Sequence, residues 1–330
     1  MKRRSFKFAP ALAASAILCL FANSASAVLP RPPNCRAAAD SCDRIPWIEQ
    51  VMWSRDKEAI PFLRTMAAGD AHERVRQRSL GALAILGDSE AHKVFLGRLS
   101  SDPSPAVRRA AAEGIGLLKF PGPQPALTEH LQNDSNPLVR AECARAMGRM
   151  GKLAYVPYLT AALFRDPSPE VRALSAEALA RLRTPDATIP LIESVKDEDP
   201  LVRLYAIRGL VESDPSAAMS LFRQVWDTTK DPELRVEAFR GLLLSGESVK
   251  WSDAGLGDQD ERVRFLALQE WVTRLSRRKG GPFMLDHESL RRLESCLSDP
   301  VRGIRELAKS FLEKMGYRVK PSGFYYMLER

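Results

Sequence analysis

Long apolar runs are nearly absent from this chain of 330 residues, and the one stretch apolar enough to consider for a membrane lies at the very start. Histidine is scarce. His72, His92, His130 and His287 are the only four, and none stands in a His-x-x-x-His or His-Glu-x-x-His spacing, so a local metal site has no support. No glycine-rich phosphate loop is present either: Gly114-Ile115-Gly116 lacks the third glycine of a dinucleotide loop and reads as close helix packing. A large excess of one charge is also missing once the N-terminus is set aside. The 49 basic and 41 acidic residues give +8; removing Lys2, Arg3, Arg4 and Lys7 leaves 45 − 41 = +4, weak ground for nucleic-acid binding. Apolar residues still make up 45%, which is material for a core and argues against global disorder.

What is present begins with an export signal. The four basic residues just named precede an apolar stretch from Ala9 to Phe21, and Ala25-Ser26-Ala27 supplies the small-x-small pattern of a cleavage site. Residues 1–27 are therefore expected to be a signal peptide and the mature chain to begin at Val28, in the periplasm or outside the cell. Arg3-Arg4-Ser5-Phe6 resembles a twin-arginine signal, which would carry a folded protein. Four cysteines remain: Cys35, Cys42, Cys143 and Cys296. In an oxidising compartment Cys35 and Cys42, close together after the proline-rich Leu29–Pro33, suggest a local disulfide. Two free thiols or a metal pair are the alternatives, and no nearby His or Cys completes a metal set.

One pattern then recurs: Asp, four residues, an aliphatic residue, Arg. It appears from Asp70, Asp102, Asp134, Asp166, Asp197, Asp258 and Asp299, each followed by a Val-Arg or Ile-Arg pair (Val75-Arg76 in the first copy, Ile304-Arg305 in the last). Asp231-Val236 fits too, with Glu237 in place of the Arg. The Asp-to-Asp steps are 32, 32, 32, 31, 34, 27 and 41 residues, the signature of a solenoid or array. Counted from each Asp, positions 5, 9, 12, 13 and 16 are mostly apolar or small, as in Val107, Ala111, Gly114, Ile115 and Leu118, which is one face of a helix. Pro-containing openings such as Val156-Pro157-Tyr158-Leu159 and Ile189-Pro190-Leu191-Ile192 start an earlier helix in each unit. Each unit is thus helix, tight turn at the Asp, helix, and such units must stack to bury their apolar faces.

The Pro-x-Leu opening, the turn Asp and the Val-Arg that follows resemble HEAT repeats, in their short bacterial form, over residues 58–316. The resemblance implies an all-α fold, a right-handed α-solenoid of about eight stacked helix pairs. It also implies that the Asp and Arg residues form a ladder between neighbouring units, with the rung missing in the sixth unit, where Glu237 stands. Residues 28–57 are expected to form an N-terminal extension and cap, and residues 317–330, with Phe324-Tyr325-Tyr326, a tail packed over the last unit. The short step before Asp258 leaves Ser252–Gly257 as loop. The long step before Asp299 carries an insertion around Ser276–Pro282, and insertions in solenoids map to loops.

No catalytic residue, cofactor or metal ligand emerges. Cys143 falls in the ninth column, held elsewhere by Ala111, Ser175, Ala206, Ala267 and Ala308, so it reads as a small packed residue rather than a nucleophile. The eleventh column runs Gly81, Glu113, Arg145, Glu177, Arg208, Leu242, Gln269. It points away from the core, and its alternating signs do not make the single-signed stripe that phosphates require. The leading reading is a non-catalytic scaffold or adaptor for a protein or peptide partner in the cell envelope, with no nucleic acid and no membrane span after cleavage. Candidate contacts are Arg145, Arg149, Glu177, Arg181, Arg208 and Glu212 on the second helices. The family resemblance leaves two further readings: an enzyme or enzyme subunit of the HEAT-like lyase or hydroxylase kind, and a structural envelope protein.

Overall fold

The computed structural model describes residues 41–122, 124–276 and 285–328, with the side chains of residues 41–43 excepted. The signal segment, the Cys35–Cys42 pair and the insertion beyond Ser276 lie outside the described residues. The chain divides into two compact units, one ending at Asp88 and the other beginning at Ser89.

The first unit holds α1 (Ser41–Ser54), α2 (Ile60–Gly69) and α3 (Glu73–Leu86). In the second unit the first helices of each pair are α4 (His92–Ser101), α6 (Pro125–Asn133), α8 (Val156–Arg165), α10 (Pro185–Ser194), α12 (Met219–Thr228), α14 (Ser248–Gly255) and α16 (His287–Cys296). The second helices are α5 (Pro105–Leu118), α7 (Pro137–Met150), α9 (Pro169–Leu182), α11 (Pro200–Ser213), α13 (Pro232–Leu244), α15 (Glu261–Ser276) and α17 (Arg302–Lys314). A hairpin of β1 (Val319–Ser322) and β2 (Tyr325–Leu328) follows.

The turn chemistry explains why helices begin where they do. The Asp carboxylate accepts a hydrogen bond from the backbone N–H two residues on, as Asp102 does from Ser104 and Asp166 from Ser168. That second residue is the N-cap, and Pro follows at the first helical position of α5, α7, α9, α11 and α13, where no N–H is needed. The Val of the pattern is wholly buried in six of the pairs: Val75, Val107, Val139, Val171, Val202 and Val263.

The Arg does two jobs. Its NH1 donates to the carbonyl of its own turn Asp, at 2.9 Å for both Arg108 to Asp102 and Arg140 to Asp134. Its Nε and NH2 form a fork on the Asp carboxylate of the next pair: Arg108 on Asp134 (2.8 and 2.8 Å), Arg140 on Asp166 (2.7 and 2.9 Å), Arg172 on Asp197 (3.0 and 2.9 Å) and Arg264 on Asp299 (2.7 and 3.1 Å). In the first unit Arg44 of α1 meets the Asp70 carboxylate through NH1 alone, at 3.0 Å, so α1 supplies an ion pair to the turn Asp where later second helices supply a fork. The electrostatic consequence is clearest at Asp134. Burial pushes its carboxyl up, but Arg108, the Asn136 N–H and His130 outweigh burial and hold it down at about 2.

Three expectations are corrected. The sixth pair keeps its rung: Arg235 forks onto Asp258 at 3.0 and 2.6 Å. Asp231 is not the turn residue but the N-cap of α13. Thr229 occupies the turn position, its hydroxyl accepting from the Asp231 N–H at 3.1 Å. The register therefore shifts by two, placing Ala238 in the ninth column and Arg240, not Leu242, in the eleventh. The missing rung is one joint earlier. Arg203 donates to the Asp197 and Glu198 carbonyls, both at 2.9 Å, but has no carboxylate for its fork among the described residues, because a Thr stands where Asp is needed. The third correction concerns Ser252–Gly257. Ser252 to Gly255 belong to α14, and Gly255 is there for packing, since a Cβ would meet the Phe239 ring at 2.2 Å.

Arg305 of α17 has no carboxylate for its fork among the described residues. The hairpin covers it: the Tyr325 ring lies 5.5 Å below its guanidinium carbon. The Tyr326 hydroxyl donates to Glu306 at 2.7 Å and its N–H to the Leu297 carbonyl at 3.2 Å. Tyr317, Val319, Tyr326 and Leu328 pack on the apolar cluster of α15, α16 and α17. Phe324 sits in the two-residue turn and is 89% exposed, so it takes no part in that packing.

Candidate partner-binding face

The face of the second unit that carries the sequence-predicted contacts is made by the outward rows of α5, α7, α9, α11, α13, α15 and α17. Most of the charges there are already paired. Arg145 and Arg149 both turn to Glu142 on their own helix, at 2.5 and 3.3 Å. Glu142 is only 5% exposed. Burial pushes its carboxyl above the usual range, with Arg145 pulling it back and Glu113 adding to the rise. Glu177 pairs with Arg181 at 2.8 Å. Arg208 reaches the next pair and meets Glu237 at 2.9 Å, where Arg240 joins at 3.0 Å. Glu237 is thus a buried anchor for two arginines rather than a degraded rung. Glu212 is exposed and makes no ion pair among the described residues. Of the six candidates, then, the five others are held by neighbours, and the pairing runs mostly within single helices rather than down the eleventh column.

What the sequence reading missed is a change in how closely the second helices approach. Position 14 of one pair faces position 12 of the next. Gly116 meets Ala146 and Gly148 meets Ala178, so tightly that a Cβ on either glycine would lie 2.7 Å from the facing Cα. At the next joint the roles swap: Gly209 sits against Ala180, with a Cβ placed 2.8 Å from the Ala180 Cβ. Toward the C-terminal end the small pairs run out. The corresponding residues are Leu243 with Glu270 and Val272 with Phe311. These side chains cannot share the space of a Gly–Ala pair.

A cleft of about 480 Å³ opens there between α13, α15 and α17. Leu243, Leu244, Leu266, Val272 and Leu307 give it apolar walls, and Arg240, Gln269 and Thr273 stand at its rim. Leu244 is 58% exposed. The signal for this cleft lay in the sequence as the volume of paired columns, but it became readable only after the two-residue shift at Thr229.

The two described cysteines are packed rather than reactive. Cys143 is fully buried beside the α7 core, and burial drives its thiol well up, so it stays protonated and unreactive. Burial likewise takes Cys296 to about 11. Among the described residues no three His, Cys, Asp or Glu side chains gather as a metal site, and no helix is long and apolar enough to cross a membrane.

Stacked helix pairs joined by Asp–Arg rungs define an α-solenoid. Residues 37–115, 93–163 and 156–243 match the family described as HEAT repeats, and the chain belongs to that family. No curated protein matches the sequence. Among solved structures, the chain is similar to YibA of Escherichia coli, with 21% identity over 73% of this chain and 89% of that one and a TM-score of 0.50. It is also similar to the complex of CpcE and CpcF of phycocyanin lyase from Nostoc sp. PCC7120, with 17% identity, 76% and 99% coverage and a TM-score of 0.43. Human deoxyhypusine hydroxylase in complex with glycerol matches with 20% identity, 82% and 99% coverage and a TM-score of 0.36. At such identities the likeness is one of fold.

Proposed function

We propose that this chain is a non-catalytic scaffold of the bacterial cell envelope that binds a protein or peptide partner along the second-helix face, with the apolar contact made in the α13–α15–α17 cleft. The observation that carries this reading is the cleft itself: leucine and valine walls left uncovered, with a polar rim, beside a charged stretch that is neutralised internally. An amphipathic segment lays its apolar side into such a groove and keeps its polar side at the rim. The N-terminal charge, apolar stretch and Ala25-Ser26-Ala27 site support export and a mature chain beginning at Val28. Long stacked surfaces of this kind suit scaffolds and adaptors.

The test is crosslinking capture from intact cells with the chain tagged at its C-terminus. The wild type is compared with Leu244→Glu/Thr273→Glu, two exposed positions in the cleft, and with Ile189→Glu, an exposed position on a first helix. Arg145, Arg149 and Arg208 are unsuited to charge reversal, because each would leave a buried glutamate facing a like charge. The expected outcome is a single envelope protein captured by the wild type and by Ile189→Glu, and lost from the cleft variant. Equal capture by all three would remove the cleft from the proposal.

A further inference from the structure

A second opening lies on a different edge of the molecule, beside the Arg140–Asp166 rung. It is a cavity of about 450 Å³ between α6 and α8. It exists because α8 carries Ala161 and Ala162 there. Ala162 stands four residues before its turn Asp. In the two preceding pairs that position is filled by a donor: Arg98 reaches Asp102 at 3.4 Å, and the His130 ring reaches Asp134 at 2.9 Å. Ala162 reaches nothing. Asp166 therefore keeps an unused acceptor site on Oδ2, which receives only the Arg140 Nε, while its Oδ1 takes the Arg140 NH2 and the Ser168 N–H.

The rest of the cavity narrows the chemistry of a ligand. Tyr158 forms one wall and is 39% exposed. Arg165 stands at the mouth, exposed and without an ion-pair partner among the described residues. Arg140 already neutralises Asp166, so Arg165 leaves the site with one positive charge in excess, which disfavours a cationic ligand. A neutral planar ring with an N–H answers every feature: it stacks on Tyr158, lies under the Arg165 guanidinium and donates to Asp166 Oδ2.

The chain holds its own template for that arrangement. At the Arg235–Asp258 rung, the Trp226 indole donates from Nε1 to Asp258 Oδ2 at 3.0 Å and lies 5.7 Å from the Arg235 guanidinium carbon. The residue at the Trp226 position beside the Arg140–Asp166 rung is Leu131, which lines the cavity and has no N–H to offer. We propose that this cavity is a receptor for an indole ring, the tryptophan side chain of a partner protein, seated on the Arg140–Asp166 rung as Trp226 sits on Arg235–Asp258. The site is separate from the second-helix cleft, and its test does not depend on that reading.

The test uses the full mature chain and follows backbone amide shifts by NMR on titration with three probes: the blocked peptide Gly-Trp-Gly, its Gly-Phe-Gly counterpart, and free indole. The tryptophan peptide is expected to shift the amides of α6 and α8, and to bind about tenfold more tightly than the phenylalanine peptide, which stacks but cannot donate. It should also bind more tightly than indole, because Gln132 and Asn133 line the cavity and carry amide groups that can pair with a peptide backbone. Ala162→His, which refills the slot as His130 does, should abolish these shifts with no loss of thermal stability, and Tyr158→Ala should weaken binding severalfold. Equal binding of the phenylalanine peptide, unchanged binding by Ala162→His, or shifts confined to other helices would each overturn the assignment. Binding of indole without the peptide would overturn the partner-side-chain assignment.

Discussion

The second helices α5, α7, α9 and α11 and the second helices α13, α15 and α17 follow one plan of turn, cap and buried aliphatic column, yet they meet their neighbours differently. In the first group a Gly–Ala pair lies at each joint, and the helices approach so closely that a Cβ on the glycine would clash with the facing alanine. In the second group Leu243, Glu270, Val272 and Phe311 occupy the same positions, and a cleft opens. The lesson is that the Asp–Arg ladder and the helix spacing are set independently. Rungs persist at Asp258 and Asp299, where the close packing has gone, while the joint at Thr229 lacks a rung. The ladder orients successive turns; the volume of two facing side chains decides whether a surface is sealed or open.

The sharpest way to break this contrast is to put a large residue into a tight joint. Gly148→Val sets a branched side chain against the Ala178 backbone, and neither helix can yield without losing its own core contacts. It is expected to cost about 2–3 kcal/mol of unfolding free energy in a denaturant titration followed by circular dichroism. A loss within error would show that α7 and α9 are as free to part as α13 and α15.

Removing one rung should cost less and should depend on pH. Asp134→Asn is expected to lower stability by about 1–2 kcal/mol near neutral pH, by weakening the charge-assisted fork to Arg108. The folded pKa of Asp134, about 2, lies below its ordinary value. Its contribution is therefore fully present above pH about 4 and fades as pH falls through about 2. The stability gap between wild type and variant should close over that interval. A gap that stays constant from neutral pH into acid would mean that packing, not charge, is what the rung supplies.

The smallest expected effect is a gain. Thr229→Asp restores a carboxylate opposite the Arg203 fork and should raise stability by about 0.5–1 kcal/mol, since the pair is partly exposed. Because the small-residue pairs are untouched, the cleft should stay open, and binding in it should not change. If the added rung also altered capture of a cleft partner, the two features would be coupled after all.

Much of the fold could be read directly. The period of about 32, the Asp cap, the Pro at the first helical turn and the buried Val column lie within single units, and local chemistry enforces them. Even Cys143 was placed correctly by its column, as a small buried residue. Asp231 and Val236 mimic the pattern two residues late, so Thr229 was hidden and Arg235 was overlooked. A threonine hydroxyl can accept the turn N–H as an aspartate does, so the helix starts correctly while the letter that marks it has changed. The candidate contacts were legible as residues on an outward face, but not as pairs. Whether Arg145 faces solvent or a buried Glu142 depends on side-chain reach along the helix.

The sequence by itself determined the helix pairs, the turns and both halves of most rungs, because each is fixed by atoms within a few residues or by an exact repeat of the same letters. The tertiary structure alone decided where the surface closes and where it opens. Those outcomes depend on the summed volume of two side chains about thirty residues apart, on the empty space beside Ala162, and on which arginines are already claimed by a buried carboxylate. None of these is a property of one position, so no single column of the repeat announces it.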